Sequence, residues 1–293
     1  MSISQATPDI AKSREQHRDL YRMQGRYLRH IGLLGAAILG YYIWFFFTFG
    51  IDAGQILNGM AQLGRYFLRM FVWHDFINWP FAYYFSQIAI TLAIVFAGTL
   101  TATVLALLLS FFAARNIMQG PVARIVALLV RRLFDLLRGV DMAIWGLIFV
   151  RAVGLGPLAG VLAIVMQDTG LLGRLYAEGH EAVDRSPSRG LTAVGAAGIQ
   201  KHRFGIFTQS FPAFLSLSLY QIESNTRSAA VLGFVGAGGV GLVYAENMRL
   251  WNWDVVMFIT LILVCVVMAM DAISAWLRRR YITGKPVPLY SPR

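Results

Sequence analysis

Charge is what this sequence has least of. Asp, Glu, Lys and Arg make up 14% of its 293 residues, against roughly 25% in a soluble globular domain. A chain this long cannot cover itself with polar groups in water, so a soluble enzyme or binding module is excluded and a polytopic membrane protein is expected. Cysteine is nearly absent: Cys265 is the one thiol and sits in an apolar run, which excludes an intrachain disulfide and a cysteine metal cluster. Catalytic patterns are missing as well. The five histidines, His17, His30, His74, His180 and His202, form no HExxH or paired-ligand spacing. There is no GxSxG elbow and no GxxxxGKS/T loop. The expectation is a chain that is not an enzyme, with no catalytic residue, no metal and no ATP site of its own. Any work it does draws on a partner or a gradient.

What the sequence does have is long apolar runs. Six stretches are expected to cross a ~30 Å hydrocarbon core as helices. They are Ile31 to Ile51, Ser86 to Ala113, Val140 to Val153, Pro157 to Leu175, Phe211 to Val235, and Val255 to Trp276. Between the first two, residues 52–84 read as an amphipathic segment on the outer surface. Pro121 to Arg138 reads as an interfacial entry into the third span. Gly156-Pro-Leu-Ala-Gly160 offers a small-residue contact face at the start of the fourth. The net charge of +11 raises the question of nucleic acid, but its distribution answers it. Of the 26 Lys and Arg residues, 21 lie in segments 1–30, 113–138, 174–203 and 278–293. Positive residues collect on the cytoplasmic side of membrane proteins. The pattern gives six spans with both termini cytoplasmic and leaves no role for nucleic acid. No cleavable signal peptide is expected, because the first thirty residues are polar and basic.

Two stretches carry unusual chemistry. The first is Thr192-Ala193-Val-Gly195-Ala196-Ala197-Gly198-Ile199, followed by Lys201-His202-Arg203-Phe204. It reads as a short helix with a nearly bare surface flanked by charge, on which another protein can seat closely; the alternative is an ordinary surface helix. The second runs from Glu223 to Gly241. It sets Glu223, Asn225, Arg227 and Ser228 inside a span, where ionisable groups are costly and pair or line a wet path. Glu223 and Arg227 are four residues apart and can pair along one helix face, in a packing role or beside a pathway. The stretch then ends in Gly233, Gly236, Gly238, Gly239 and Gly241. Gly236 to Gly241 spells GxGxxG, but a dinucleotide loop needs a βαβ unit and this one lies between two spans. The glycines read as a gate or packing element that allows close backbone approach.

Taken together, these stretches resemble the permeases of binding-protein-dependent ABC importers, with the fold of the methionine-type (type I) membrane subunits. The likeness is to the phosphonate branch, whose close relatives move phosphite and hypophosphite. It is carried by Glu223-Ser-Asn225-Thr-Arg227-Ser228-Ala229 leading into the glycines, by Ala113-Ala-Arg115-Asn116, and by Leu147 to Pro157 with Ala159-Gly160. It covers about residues 85–280. The family's EAA loop falls between Arg189 and Pro212, with its glycine on Gly195 and the adjoining small residue on Ala196. Several positions depart from the pattern. Arg189 stands where the loop's glutamate opens, and Thr208 where a proline is usual, with Pro212 four residues on. Arg138-Gly-Val-Asp141-Met142 replaces an Arg-Ser-Ile-Pro-Glu run.

The resemblance implies an all-α fold of six transmembrane helices. Its parts would be a cytoplasmic tail, 1–30; a first helix with a periplasmic amphipathic segment, 31–84; a type-1 transmembrane domain, 85–280, with a coupling loop at 181–211; and a cytoplasmic tail, 281–293. It implies a multi-pass subunit of the bacterial inner membrane with a second permease copy or paralogue. Two ABC ATPase subunits would hold ATP and magnesium, and a periplasmic substrate-binding protein would deliver the cargo. Thr192, Ala193, Gly195 to Gly198 and Lys201 would dock the ATPase; Glu223, Asn225, Arg227 and Ser228 would line the pathway. Departing from the family, the competing reading is a self-contained proton-coupled anion carrier that uses Glu223, Asp141 and Asp168 as relays. A membrane-embedded enzyme is disfavoured by the missing catalytic constellation.

Overall fold

The computed structural model describes residues 18–50, 52–74, 76–118 and 120–281. Residues 1–17 and 282–293, which hold much of the two expected tails, lie outside the described residues. Every long regular element among the described residues is a helix. The chain divides into two units, 1–68 and 69–293.

In the first unit, α1 (Arg18–Thr48) contains a 22-residue stretch, Tyr27–Thr48, apolar enough to cross a bilayer. Its apolar side chains are exposed, as lipid contact requires. Aromatic rings gather in its last turns and just past its end, with Phe45 and Phe49 4.6 Å apart. Such belts sit at headgroup level. The following α2 (Ala53–Met70) is amphipathic, setting Ile56, Leu57, Met60, Leu63 and Phe67 against Gln55, Asn58, Gln62 and Arg65.

The second unit is a helical bundle. It comprises α3 (Phe81–Ala113), α4 (Pro121–Gly139), α5 (Met142–Val153), α6 (Pro157–Glu181), α7 (Ser186–Ala193), α8 (Thr208–Phe234), α9 (Val240–Arg249) and α10 (Trp253–Tyr281). Prolines open α4 and α6, where the missing N–H costs no helical bond. The centre is α3 against α6, where Ile94, Val95, Ala163 and Ile164 meet Met142 of α5 and Ile222, Ala229 and Leu232 of α8. Small residues set the spacing. A Cβ on Gly98 would lie 2.8 Å from Cβ of Ile164. Gly98→Ala is therefore expected to cost about 1 kcal/mol by overpacking, read as a lower melting temperature of the full chain in detergent. An unchanged melt would mean that Ile164 moves aside freely.

Among the described residues, four helices are long and apolar enough to span a membrane: α1, α3, α6 and α10. The third and fifth expected spans differ from the reading of the sequence. The third is a 12-residue helix, α5, about 18 Å long and short of the hydrocarbon core. It is cut from α4 by extended backbone at Val140 and Asp141, and the Asp141 carboxylate caps it by accepting from the Ala143 N–H at 2.9 Å. The fifth, α8, starts before Phe211, runs through Pro212 and has 27 residues. It falls outside the apolar set because polar residues dilute its hydropathy, and four of them, Ser210, Gln221, Asn225 and Thr226, are buried. A π-helical stretch, Lys201–Phe207, leads into it. Its looser winding one turn ahead of Pro212 leaves carbonyls that side chains take up, as Thr208 Oγ1 donates to Arg203 O at 2.9 Å.

Candidate functional site

The knob is built by local rules. Asp184 accepts from the backbone N–H and hydroxyl of Ser186, both at 3.0 Å, and starts α7. These bonds hold the exposed Asp184 carboxyl below its ordinary range. At the other end, Gly195 N–H bonds Thr192 O and Ala196 N–H bonds Leu191 O, both at 3.0 Å. This is a Schellman closure, with Gly195 at φ +79° in the left-handed position. No atom lies within 4 Å of a Cβ placed on Gly195, so within the chain the backbone turn, and not lack of room, calls for glycine. After the corner, a short turn, Gly198–Gln200, opens with the Gln200 side chain accepting from Ala197 N–H at 3.0 Å.

The expected short bare helix is thus a hairpin corner, since the closure at Gly195 ends α7 at Ala193. Thr192, Ala193, Gly195, Ala197 and Gly198 are exposed, while Ala196 and Lys201 are half-buried. Two large apolar side chains flank the corner, Val194 at 80% and Ile199 at 83% exposure. Behind it, α7 lies on the π stretch, where a Cβ on Gly205 would sit 2.7 Å from Ser188 Oγ. The Gln209 amide donates to Asp184 O at 3.2 Å and to Gly205 O, clamping the base of the hairpin. Burial lowers the pKa of the His202 imidazole.

One ion pair roots this end of the bundle. Arg131, 5% exposed, donates from Nε to Ala113 O at 2.8 Å and from its terminal nitrogen to Glu181 Oε1 at 2.5 Å. The Arg115 N–H donates to the same carboxylate oxygen at 2.6 Å. The ends of α3 and α6 are thereby tied to the middle of α4. Asn116 Nδ2 adds a bond to His180 O at 2.6 Å, and the His180 ring is wedged between Phe111 and Phe214.

Further along α8 the polar step resolves into three environments. Asn225 is 1% exposed and donates to Asp168 Oδ2 at 2.5 Å and Thr99 Oγ1 at 2.8 Å. Gln221 donates to Asp168 Oδ1 at 2.9 Å and to Asn225 Oδ1 at 3.2 Å. A closed amide–carboxylate network therefore joins α3, α6 and α8, and Asn225 lies inside it. Glu223 is not paired with Arg227. It faces Arg278 of α10 at 3.8 Å, because α10 brings a cation to the same side of α8. Arg227 is exposed and has no ion pair among the described residues. Ser228 is half-buried and lines a cavity of about 200 Å³ with Asp141, Gln167 and Val231. The Gln167 Oε1 atom, on the same cavity's lining, is buried without a hydrogen-bond partner.

The glycines form the far end of α8 and the turn into α9. Gly236 takes the left-handed position of a second Schellman closure, its N–H on Gly233 O at 3.0 Å and Ala237 N–H on Leu232 O at 3.4 Å. Gly238 and Gly239 keep φ at +82° and +76°. The Val240 N–H then donates to Thr91 Oγ1 at 2.8 Å. A Cβ on Gly241 would strike Ala230 O, and one on Gly233 would strike the Gly241 backbone, so α8 and α9 cross backbone to backbone. The segment before α6 joins the same layer, with Gly156 N–H on Gly236 O at 3.1 Å. Here GxGxxG encodes a helix end and a crossing.

Thr99, Gln221, Gln167 and the Arg131–Glu181 pair were not foreseen as site residues. A signal for Arg131 was present: with Ala127, Phe134 and Leu137 it completes the inward face of α4. Among the described residues, no group of three or more His, Cys, Asp or Glu side chains could hold a metal.

Residues 106–283 match the family described as binding-protein-dependent transport system inner membrane component. The chain is 38% identical over 231 residues to the phosphite transport system permease protein PtxC of Stutzerimonas stutzeri, covering 79% of this chain and 82% of that protein. It is 34% identical over 198 residues to the phosphate-import permease protein PhnE of Mycolicibacterium smegmatis, covering 68% of this chain but 37% of that protein. Among solved structures, the inward-facing MetNI methionine ABC transporter is similar in fold, with TM-score 0.60 and 17% identity, covering 68% of this chain and 97% of the matched chain.

Proposed function

We propose a function from one premise: the chain belongs to the family of inner membrane components of binding-protein-dependent transport systems. In that family the membrane permease and the ATPase are separate subunits. On this reading the chain is the permease of an importer for phosphonate or a related phosphorus oxyanion, such as phosphite or hypophosphite. Relatives whose names specify phosphite and phosphate support that cargo class. The complete assembly would hold two permeases, identical or paralogous, and two ATPases carrying ATP and magnesium. A periplasmic binding protein would select the anion. The chain would cross the inner membrane six times, α4 and α5 together making the third crossing because α5 alone is too short, with both termini cytoplasmic and the transport domain at 85–280 between the two tails.

The observation that carries the reading is the hairpin corner. Val194 and Ile199 project from a capped turn whose own backbone groups are bonded, so an apolar tip stands on a rigid base. Such a tip loses little entropy on docking. ATP-driven closure of the ATPases would push the corner. The clamp at Gln209 and the continuous path from the π stretch into α8 would carry the push to the polar step. Arg227 and Ser228 would face the anion, with Glu223 and Asn225 setting the orientation of α8. The crossing at Gly233 and Gly241 would form the gate. The proton-relay alternative is weakened by the same residues, since Asp168 is enclosed by amides and Asp141 caps a helix.

The test is capture of a P-loop ATPase, identified by sequence, on the tagged full chain solubilised from its host membrane, together with phosphite uptake by the intact cells. Ile199→Asp is expected to lower both by about tenfold or more, since a charge at the centre of a docked apolar contact costs over 1.4 kcal/mol. Gly195→Leu should act in the same direction by straining the corner. Uptake that persists without ATP and follows an imposed proton gradient would sink the importer reading in favour of the carrier.

A further inference from the structure

Behind the hairpin corner lies a cavity of about 630 Å³. Five cationic side chains line it. Arg115 comes from the turn after α3, Arg124 from the first turn of α4, Arg185 and Arg189 from the entry and middle of α7, and Lys201 from the head of the π stretch. None of the five makes a close ion pair among the described residues, whereas Arg131, Arg138 and Arg174 on the neighbouring helices each do. Asp184 also reaches the lining and interacts electrostatically with Arg189, so one carboxylate stands against the five cations; its Oδ1 accepts two hydrogen bonds from Ser186. His202 contributes a ring whose Nδ1 is buried and has no hydrogen-bond partner.

The plain account is that these are solvated positive-inside charges. Solvated charges spread apart. Here side chains from the turn after α3, from α4, from α7 and its entry, and from the π stretch converge on one concavity, and a single carboxylate offsets only part of their mutual repulsion. Guanidinium groups present paired N–H donors that match the oxygens of a phosphate. A second cavity of about 410 Å³ shares Arg115 and Arg124 and continues along Ala127 and Leu128. Arg131 completes its lining, so it extends the basic surface and adds two apolar side chains.

We propose that this cavity binds a phosphate-type oxyanion, either free or as the headgroup of an anionic lipid, and that the bound anion braces the hairpin corner against the α3–α4 turn. The anion would tie Arg185, Arg189 and Lys201 of the corner to Arg115 and Arg124 of the bundle, so its occupancy would set how freely the corner moves.

The experiment uses the full chain, delipidated in a zwitterionic detergent, and radiolabelled inorganic phosphate in equilibrium dialysis. The variant Arg124→Gln/Arg185→Gln removes one exposed cation from each side of the cavity; neither residue belongs to the core. Arg279→Gln, at an exposed position on α10, is the control. Wild type and control are expected to bind phosphate and to melt at a higher temperature with it. The double variant should bind at least about tenfold more weakly while matching the wild-type melt without phosphate. A chain that ignores free phosphate but retains phosphatidylglycerol in native mass spectrometry, with that retention lost in the double variant, supports the proposal with the headgroup as source. Equal binding of phosphate and lipid by wild type and double variant, or binding of neither, overturns it. So does a double variant that keeps anion binding but loses the ATPase, which would make the cavity part of a protein interface.

Discussion

Arg131→Ala is expected to destabilise the Arg69–Arg293 unit by about 3 kcal/mol, the lower end of the range for cutting one partner out of a buried ion pair. The estimate sits low because Glu181 keeps 27% of its side chain exposed and retains the Arg115 N–H. Two further losses add to the broken pair. Ala113 O, at the end of α3, loses its donor, and the long aliphatic stem of Arg131 leaves the inward face of α4. Arg131→Lys should cost less, since it preserves the charge, though one ammonium cannot hold both the Ala113 carbonyl and the carboxylate in the geometry of a guanidinium. The informative variant is the double, Arg131→Met/Glu181→Met. Removing both charges leaves neither one buried alone, so the double should melt above Arg131→Ala despite carrying one more change. Thermal unfolding of the full chain in one detergent, run at one scan rate, gives the ranking. If the double melts at or below the single, the pair is not what holds α3, α4 and α6 together.

How far the sequence announced this structure depends on the range of the interaction. Apolar run length needs no partner, and it located α3, α6 and α10 to within about six residues and the end of α1, though not its start at Arg18. The chain breaks were legible for the same reason: Pro121 and Pro157 open helices wherever they fall. The bounds of the third span were legible to two residues, with the break after Arg138, but its reach was not: twelve residues from Met142 fall short of a bilayer, and the Asp141 cap that starts them is a two-residue event that a hydropathy window averages away. The start of α8 was misread through Pro212. A proline normally marks a helix beginning, and here a π stretch just upstream lets the helix run through it.

Site legibility followed the same division. The hairpin corner was visible as bare small residues, yet its chemistry lies in the flanking Val194 and Ile199, which read as ordinary apolar residues until the turn exposes them. Glu223 and Arg227 were paired on helix spacing alone. That rule is sound for an isolated helix and gives way when a neighbouring helix supplies a competing charge, as Arg278 does. Asn225 was marked as a polar residue within a span and Asp168 as a relay of the competing carrier reading, but their separation of 57 residues hid that they answer each other. Gln221 and Thr99 drew no notice because a neutral amide or hydroxyl in a span raises no alarm until its partner is known.

That network yields the other large effect. Asn225→Ala is expected to cost about 2 kcal/mol, because it strips a donor from a fully buried carboxylate and leaves Asp168 Oδ2 and Thr99 Oγ1 short of a partner. Asn225→Asp should be worse in the folded chain, since it sets a second carboxylate against the first in a dry site. Asp168→Asn keeps the shape and the size. It can still accept from Gln221, but its own amide nitrogen meets the Asn225 amide, so one of the two must turn and one bond is lost; about 1 kcal/mol is expected. Combining Asp168→Leu with Asn225→Leu removes the network rather than half of it and should recover part of the loss. The melt of each full-length variant measures this ranking, and the uptake rate of the same variants separates fold from path. If Asn225 acts by holding α8 against α3 and α6, uptake per folded molecule should fall little in Asp168→Asn while Arg227→Gln, on the exposed side of the same helix, loses transport with an unchanged melt. The reverse pattern, a stable Asn225→Ala that no longer transports beside an Arg227→Gln that does, would move the anion's path from the exposed face of α8 into the polar network at its back.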